Sequence, residues 1–502
     1  DEENYEWFPI YHVVGEERSI NEDRFPKLAL DQVVGLVAGA RQVIRQALGA
    51  KLDKVEVLFI KWSEHMEYAD TDGMKVDQII PRLGITISVR TKDGSEAFAA
   101  IRGAMGGMEI LKRYEPPSEP ERDFLTIVQD LAHEVAKEAI DLDRAQGASI
   151  LGTECPVILS PAGAGVLAHE VFGHTSEGDI ICESRIGAQV SDHPAFSIID
   201  TGAATVQLGR RGIKNAFGAI VVDEHGCPAK ETKLVERGIQ VNVLNDRYTF
   251  NEILDGLKDD IVEGMRAHGL TGNVRREKYD VPPQVRMTNT FILPDEKGPK
   301  SLAEMAALIP KNKRGVYIKS CQGGWVNPDG GEFMLNGNLC YLIENGSVTE
   351  KPIKGVKVTG NVAKFVDSVR AIGSSETIDR TFTGYCGKND QWVPVEGGGP
   401  LLYIEDAKLA GGSTAAARPW SELVAEYDKQ HRQVSEGKRT ARSVYVPEIG
   451  EVIGKDVNQA KVCLVTVSLD AGEEVDFVLG RRDRAQFAVR DGKMIRRSDR
   501  FE

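Results

Sequence analysis

The sequence predicts an α+β protein in three parts: an N-terminal helix–sheet–helix domain (residues 1–150), a β-rich domain with a curled sheet or partial barrel (151–412), and a C-terminal α/β extension (413–502). Two long helical patterns flank three strand patterns in the first part. Many short strand patterns separated by Gly and Asn turns fill the second. A Gly-Gly-Ser run then precedes a polar third part, and 502 residues exceed one ordinary core.

The first domain is predicted from two amphipathic helices and the strands between them. Residues from Lys27 to Ala50 follow a proline and carry apolar side chains at helical spacing. The second helix opens at Ser118–Glu121, around a proline, and runs to about Asp143. The intervening strand patterns are Val55–Trp62, Gly84–Arg90 and Glu96–Ile101. A turn at Lys92-Asp93-Gly94 is expected to join the last two.

The second domain opens with a strand, Pro156–Ser160, which leads through a glycine-rich segment into a helix. Ser301 and Glu304 form a capping-box pattern before a short helix that Pro310 ends. In the extension, a helix is predicted at Trp420–Glu436, and a hairpin turns at Asp491-Gly492. The further strands expected in the second domain are Ser197–Asp200, Ala219–Val222, Val316–Lys319, Leu339–Glu344 and Lys354–Thr359.

The composition excludes several classes of function. The formal net charge of −14 argues against a nucleic-acid-binding protein, which needs a basic face to displace counterions. No apolar run approaches the roughly 18–20 residues that span a bilayer, so no membrane association is expected. The seven cysteines are not clustered as in a disulfide-rich protein. Free thiols are typical of proteins in a reducing cytoplasm, so a cytoplasmic location is expected. The chain begins at Asp1 rather than Met, which leaves open a removed leader or a trimmed N-terminus.

The segment that indicates chemistry is His169-Glu170-Val171-Phe172-Gly173-His174. Two neutral imidazoles on one metal ion, with a carboxylate beside them, suit metal-assisted hydrolysis. Residues five apart on a regular α-helix lie roughly 140° apart around its axis, so these histidines would point in different directions. Both reach one metal only if the helix contains a π-bulge or breaks at Gly173. The motif therefore predicts an irregular helix between His169 and His174.

The residues around the motif leave alternatives open. Glu177 and Asp179 are acidic groups that either accept a ring N–H from a ligand histidine or serve only turn chemistry. A catalytic zinc needs a third protein ligand, and spacing does not choose among the available histidines and cysteines. Cys386 has the most suggestive setting, between glycines and beside Lys388, which would favour the thiolate. The candidates for the third ligand are His193, His225, Cys182, Cys321 and Cys386.

Several separated blocks resemble the TldD/PmbA family of zinc metallopeptidases, in its metal-bearing TldD-type branch. The blocks are Pro161–His174 with Glu177–Asp179, Arg286–Thr290, Arg314–Lys319, Gly331–Phe333, Tyr341–Gly346 and Cys386–Lys388. The resemblance implies that His169, His174 and Cys386 bind Zn²⁺ and that Glu170 activates water. It also implies hydrolysis of unfolded or extended peptides, including leader trimming and peptide maturation. It further implies a dimer, formed either with a second copy or with a motif-less paralogous subunit.

An extended peptide can be held by main-chain hydrogen bonds to a strand edge, which is largely independent of sequence. The expected edge is Val316-Tyr317-Ile318-Lys319 followed by Gly323-Gly324; the alternative is that this is a core strand. A second interpretation of the whole protein is a non-catalytic assembly partner of the same fold with a structural metal site. The hairpin at Gln486–Arg497 is similar to the strand pair that opens the family's N-terminal domain, which suggests either a permuted order or an independent extension.

Overall fold

The computed structural model describes residues 30–410, apart from 71–74, 102–123, 181–185, 255–256, 328–330, 362–367 and 379–380, and six strands between 443 and 497. Its first elements are helix α1 (Leu30–Leu48), strands β1 (Leu52–Ala69), β2 (Lys75–Thr91) and β3 (Glu96–Ile101), and helix α2 (Phe124–Arg144). The predicted helix–sheet–helix order is confirmed. The apolar stripes of both helices pack on one face of the sheet, against side chains such as Phe59, Leu83 and Ile85.

Strands β1 and β2 are much longer than their apolar patterns because their polar ends pack against another part of the chain. In β2, Arg82 donates to the carbonyl oxygens of Phe217 and Ala219, each at 2.8 Å, and Gln78 donates to that of Val222 at 2.8 Å. The prediction of a strand at Ala219–Val222 is wrong, because side chains of β2 bind carbonyl groups of this segment. Side chains, and not a neighbouring strand, satisfy these carbonyl groups, and Val222 makes only an isolated bridge to Pro228.

The middle of the chain is rich in short strands, as predicted. Its strands are β4 (Gln146–Gly147), β5 (Glu154–Leu159), β6 (Ile198–Thr201), β7 (Thr205–Leu208), β8 (Arg211–Lys214), β9 (Glu231–Glu236), β10 (Ile239–Gln240), β11 (Val274–Arg275), β12 (Gln284–Val285), β13 (Asn289–Ile292), β14 (Gly315–Ile318), β15 (Cys321–Val326), β16 (Glu332–Glu344), β17 (Ser347–Asn361), β18 (Val369–Ile372), β19 (Phe382–Lys388), β20 (Gln391–Gly398) and β21 (Leu402–Leu409). Its α-helices are α3 (Pro161–Leu167), α4 (Thr249–Leu254), α5 (Asp259–His268) and α6 (Leu302–Ala307). The hydroxyl of Ser301 accepts the N–H of Glu304 at the start of α6, which confirms that cap.

The larger sheet in this region curls until it closes on itself. Strand β14 pairs with β5 and β16, β5 pairs with β21, β21 with β17, and β17 with β16. The pairing therefore runs round a ring of five strands. Strand β15 continues along the side of β16 that pairs with β14, and among the described residues its other side has no partner strand, so that side is a free edge. This arrangement confirms the predicted curled sheet or partial barrel. A second sheet, in the order β10-β9-β6-β13-β20-β19, ends at the strand that carries Cys386.

The last strands of the chain continue the first sheet. They are β22 (Ser443–Val446), β23 (Gly450–Ile453), β24 (Lys461–Thr466), β25 (Glu474–Leu479), β26 (Asp483–Arg490) and β27 (Lys493–Arg497). Strand β24 pairs antiparallel with β1, giving the order β27-β26-β25-β24-β1-β2-β3. The predicted hairpin is confirmed, with Arg490 opposite Lys493. The helix predicted at Trp420–Glu436 lies outside the described residues. Among the residues that are described, no helix is long and apolar enough to cross a membrane.

Candidate metal centre

The helix that carries the histidines changes its winding at the motif. Ser160 accepts the N–H of Gly163, and Pro161 occupies the first turn, so α3 begins as a well-capped α-helix. From Ala168 to Gly173 it becomes a π-helix, in which the N–H of His174 donates to the carbonyl of His169, five residues earlier. The predicted irregularity is therefore confirmed, and it takes the form of a π-turn.

Two glycines allow this helix to pack closely. A β-carbon on Gly173 would lie 1.8 Å from Sδ of Met287, which is fully buried against the π-turn. A β-carbon on Gly165 would lie 2.5 Å from the carbonyl oxygen of Gly397 in β20. Strand β20 is paired with β19, so this contact fixes the distance between the histidine-bearing helix and the cysteine-bearing hairpin.

Gly165→Ala is expected to lower the free energy of unfolding by about 1–3 kcal/mol, because the added methyl group meets backbone that has no rotamer in which to avoid it. The matched control is Gly35→Ala in α1, where Gly35 is exposed and an added β-carbon meets nothing within 4 Å. That substitution is expected to stabilise the helix by up to about 1 kcal/mol. Chemical denaturation of both variants tests this, and equal stability of the two would contradict the close packing.

The π-turn and β19 bring together His169, His174 and Cys386. One ligand atom from each lies within 4.8 Å of the others, and Nε2 of His174 is 3.5 Å from Sγ of Cys386. The two imidazole rings meet edge to face, with centroids 5.0 Å apart. Nδ1 of His169 is buried and has no hydrogen-bond partner among the residues that the structure describes, and burying such an atom is costly unless something binds it. Two imidazoles and a thiolate are borderline-soft ligands, so these residues fit a metal ion of the zinc type.

The thiol of Cys386 lies in a strongly electropositive setting. Burial raises its pKa, but the neighbouring His174 and the guanidinium of Arg286 outweigh burial and hold that pKa well below its usual range. Arg286 also donates to the carbonyl oxygen of Cys386. Lys388, which the sequence suggested as the group favouring the thiolate, donates instead to Asp179 at 2.6 Å and approaches Glu177 at 3.2 Å.

Glu177 is fully buried behind His174. Its Oε2 lies 3.2 Å from Nδ1 of the imidazole, and its Oε1 is 3.9 Å from Nε of Arg286. Burial raises the pKa of this carboxyl, but His174, Lys388 and Arg286 together bring that pKa down to about 2. A carboxylate on Nδ1 directs the other ring nitrogen, Nε2, towards Cys386. The carboxylate at the histidine ring is that of Glu177, whereas Asp179 accepts a hydrogen bond from Lys388, and its charge also raises the pKa of Arg286.

The sequence of this region matches a known family. Residues 152–411, which are 260 of the 502 residues, match the profile described as the PmbA/TldA metallopeptidase C-terminal domain. The chain belongs to the PmbA/TldD metallopeptidase family. All three clustered residues and Glu170 lie inside the matched region.

Curated relatives of this PmbA/TldD family member carry corresponding names. A "Metalloprotease TldD homolog" from Buchnera aphidicola is 29% identical over 73% of this chain and 70% of its own length. A "Metalloprotease" from Methanothermobacter thermautotrophicus is 28% identical over 71% of this chain and 69% of its own. The fold resembles the crystal structure of a Thermotoga maritima protein described as a candidate modulator of a DNA gyrase, with a TM-score of 0.55 at 18% identity, covering 77% of this chain and 76% of that one. This last likeness concerns the fold alone.

In this PmbA/TldD chain the cluster of His169, His174 and Cys386 borders a cleft of about 2100 Å³. Glu170 lines the cleft, and a β-carbon on Gly324 would lie 2.8 Å from its Cγ, so the glycine leaves room for the carboxylate. Gly323 and Gly324 belong to β15, the free edge of the curled sheet. The expectation that Val316-Tyr317-Ile318-Lys319 forms an edge is wrong. Strand β14 pairs on both sides, and Val316 and Ile318 are fully buried, while Tyr317 and Lys319 line the cleft.

None of the other candidates for the third ligand whose positions the structure describes belongs to the cluster. His193, His225 and Cys321 do not join the group of His169, His174 and Cys386, and Cys182 is outside the described residues.

The sequence alone assigned no role to Arg286. Its only signal in the sequence was its place in the block Arg286–Thr290 that resembles the family. Its contacts to Glu177 and Cys386 could not be predicted, because they join segments about a hundred residues apart.

Proposed function

We propose that this protein is a zinc-dependent peptidase that hydrolyses unfolded or extended peptides, with Glu170 as the general base. The observation that carries the proposal is the π-turn: it aims His169 and His174 at Cys386 and holds Glu170 in the same turn, at the wall of a large cleft. Peptide maturation or leader trimming is the reaction context that the family resemblance favours. Three protein ligands among the described residues support an open catalytic site over a structural one, which four would close.

Each residue of the site has a distinct role in this proposal. His169, His174 and Cys386 hold the zinc ion, and Glu177 orients His174 through Nδ1. When bound, zinc would polarise the scissile carbonyl and lower the pKa of a water molecule. Glu170 takes the proton of the attacking water and passes it to the leaving amine. Gly324 keeps space for that carboxylate beside the edge strand.

The substrate in this proposal binds as an extra strand. Within the part of the chain that the structure describes, strand β15 pairs only with β16, so its other edge offers N–H and C=O groups beside Glu170. An extended peptide satisfies those groups, whereas a folded domain has its own strands already paired. The protein is proposed to act in the cytoplasm, since the five cysteines whose side chains are described are free thiols. It is also proposed to work as a dimer, with itself or with a motif-less paralogue.

Metal removal tests the function. Purified wild-type protein is expected to hold about one zinc ion per chain and to hydrolyse an unstructured peptide. Dialysis against a chelator should abolish hydrolysis, and added zinc should restore it. The control is the same chelator already saturated with zinc. A folded domain that contains the same peptide sequence should resist cleavage until it is denatured. Hydrolysis at the original rate by metal-free protein would overturn the proposal.

A further inference from the structure

Trp325 is unusually exposed for its position. It lies in β15, next to Gly324, and 53% of its surface is accessible to solvent. Successive side chains of a strand point to opposite faces, so Trp325 points away from the face on which Gly324 meets Glu170. Its cross-strand neighbour on the paired side is Met334 in β16. The other side of β15 is the free edge, so a strand added there would place one of its own side chains beside the indole ring.

A second exposed aromatic residue lines the same cleft. Phe98 in β3 is 42% accessible, and it comes from the N-terminal sheet rather than the curled sheet. Nine large apolar side chains are exposed among the described residues, and Phe98 and Trp325 are the two of these nine that line the cleft. Positively and negatively charged residues line the cleft in equal numbers, so the lining as a whole carries no excess of either sign. The two exposed rings offer side-chain selectivity through apolar contact.

We propose that Trp325 forms a subsite for a large apolar side chain of the peptide, in the cleft that Phe98 also lines. This inference rests on the proposed peptidase function and names its substrate class: extended segments with an aromatic or branched aliphatic residue at one fixed position relative to β15. Such residues are buried in folded proteins and accessible in unfolded ones, so the subsite adds a second reason for selecting unfolded chains. Main-chain hydrogen bonds to β15 would fix the position of the peptide along the strand, and Trp325 would favour an apolar side chain at the position beside its ring.

The test uses a set of peptides of equal length with a Ser/Ala/Gly background and a single Phe moved along the chain. Binding is measured to zinc-loaded Glu170→Gln protein, which holds the peptide without cleaving it, and kcat/KM is measured with the wild type. One Phe position is expected to bind about five- to tenfold more tightly than the Phe-free peptide. Trp325→Ala should remove that gain, and Trp325→Phe should retain most of it.

The matched control is Tyr279→Ala, since Tyr279 is an aromatic residue with 66% exposure that does not line the cleft. It should leave the preference unchanged. Equal binding of all Phe positions, or a preference that survives Trp325→Ala, would overturn the subsite. Failure of the proposed function is a different result: the wild type would cleave no peptide in the set, while the binding measurement would still decide whether Trp325 selects apolar side chains.

Discussion

The Glu170→Ala protein is expected to retain its zinc and lose peptidase turnover by a factor of about 10²–10⁴. The three side chains that cluster as metal ligands do not include Glu170, so removing its carboxylate leaves the donor set intact. The variant lacks only the group that accepts the proton of the attacking water. The measurement is zinc content by elemental analysis, alongside kcat/KM for one unstructured peptide, in wild type and variant.

A second His-Glu pair in the chain supplies the control. His133 and Glu134 lie on the exposed side of α2, and Glu134 also lines the cleft, but no further histidine follows them as a ligand. Glu134→Ala removes the same charge from the same cleft, and it should change kcat/KM by less than about twofold. Equal activity of Glu170→Ala and wild type, with zinc present in both, would eliminate Glu170 as the general base. Loss of zinc from the variant would show that this carboxylate supports the metal site itself.

The π-turn could be predicted from sequence because it follows from the spacing of two residues within one short segment. Five-residue spacing cannot place His169 and His174 together on a regular helix, so the motif itself demands the extra residue per turn. Cys386 could not be chosen from the residues alone. It reaches the histidines through the pairing of β19 with β20 and the packing of β20 against Gly165, and neither contact leaves a pattern in the sequence around the cysteine.

Strand positions within the sheets were harder to predict than the strands themselves. The apolar run of β14 fits an edge or an interior strand equally well, and only its pairing with β5 and β16 decides. Likewise, nothing in β24 indicates that it pairs with β1, some four hundred residues earlier. Non-local pairing sets these positions. The glycines of β15 were more informative, because Gly324 is required by the close approach of Glu170 and Gly323 by its positive φ of 93°.

Arg286 is expected to control metal affinity, although it is not a ligand. Its side chain is fully buried, donates to the carbonyl of Cys386, and lies 3.9 Å from the carboxylate that orients His174. It therefore links the two segments that supply ligands. Arg286→Lys keeps a positive charge but loses the planar fork that reaches both groups at once. The expected result is zinc affinity lower by about 10–100-fold, measured by competition with a chromophoric chelator.

Arg275 supplies a closely matched control. It is similarly buried and donates to two carbonyl oxygens, but these belong to Met287 and Pro394 and not to Glu177 or Cys386. Arg275→Lys should therefore destabilise the fold by a similar amount and leave zinc affinity within about threefold of wild type. Thermal unfolding of both variants, in a chelator and in saturating zinc, separates stability from metal binding. If Arg286→Lys loses stability in the chelator yet binds zinc as tightly as Arg275→Lys does, Arg286 only fills space, and the ligands are positioned by the π-turn and β19 without it.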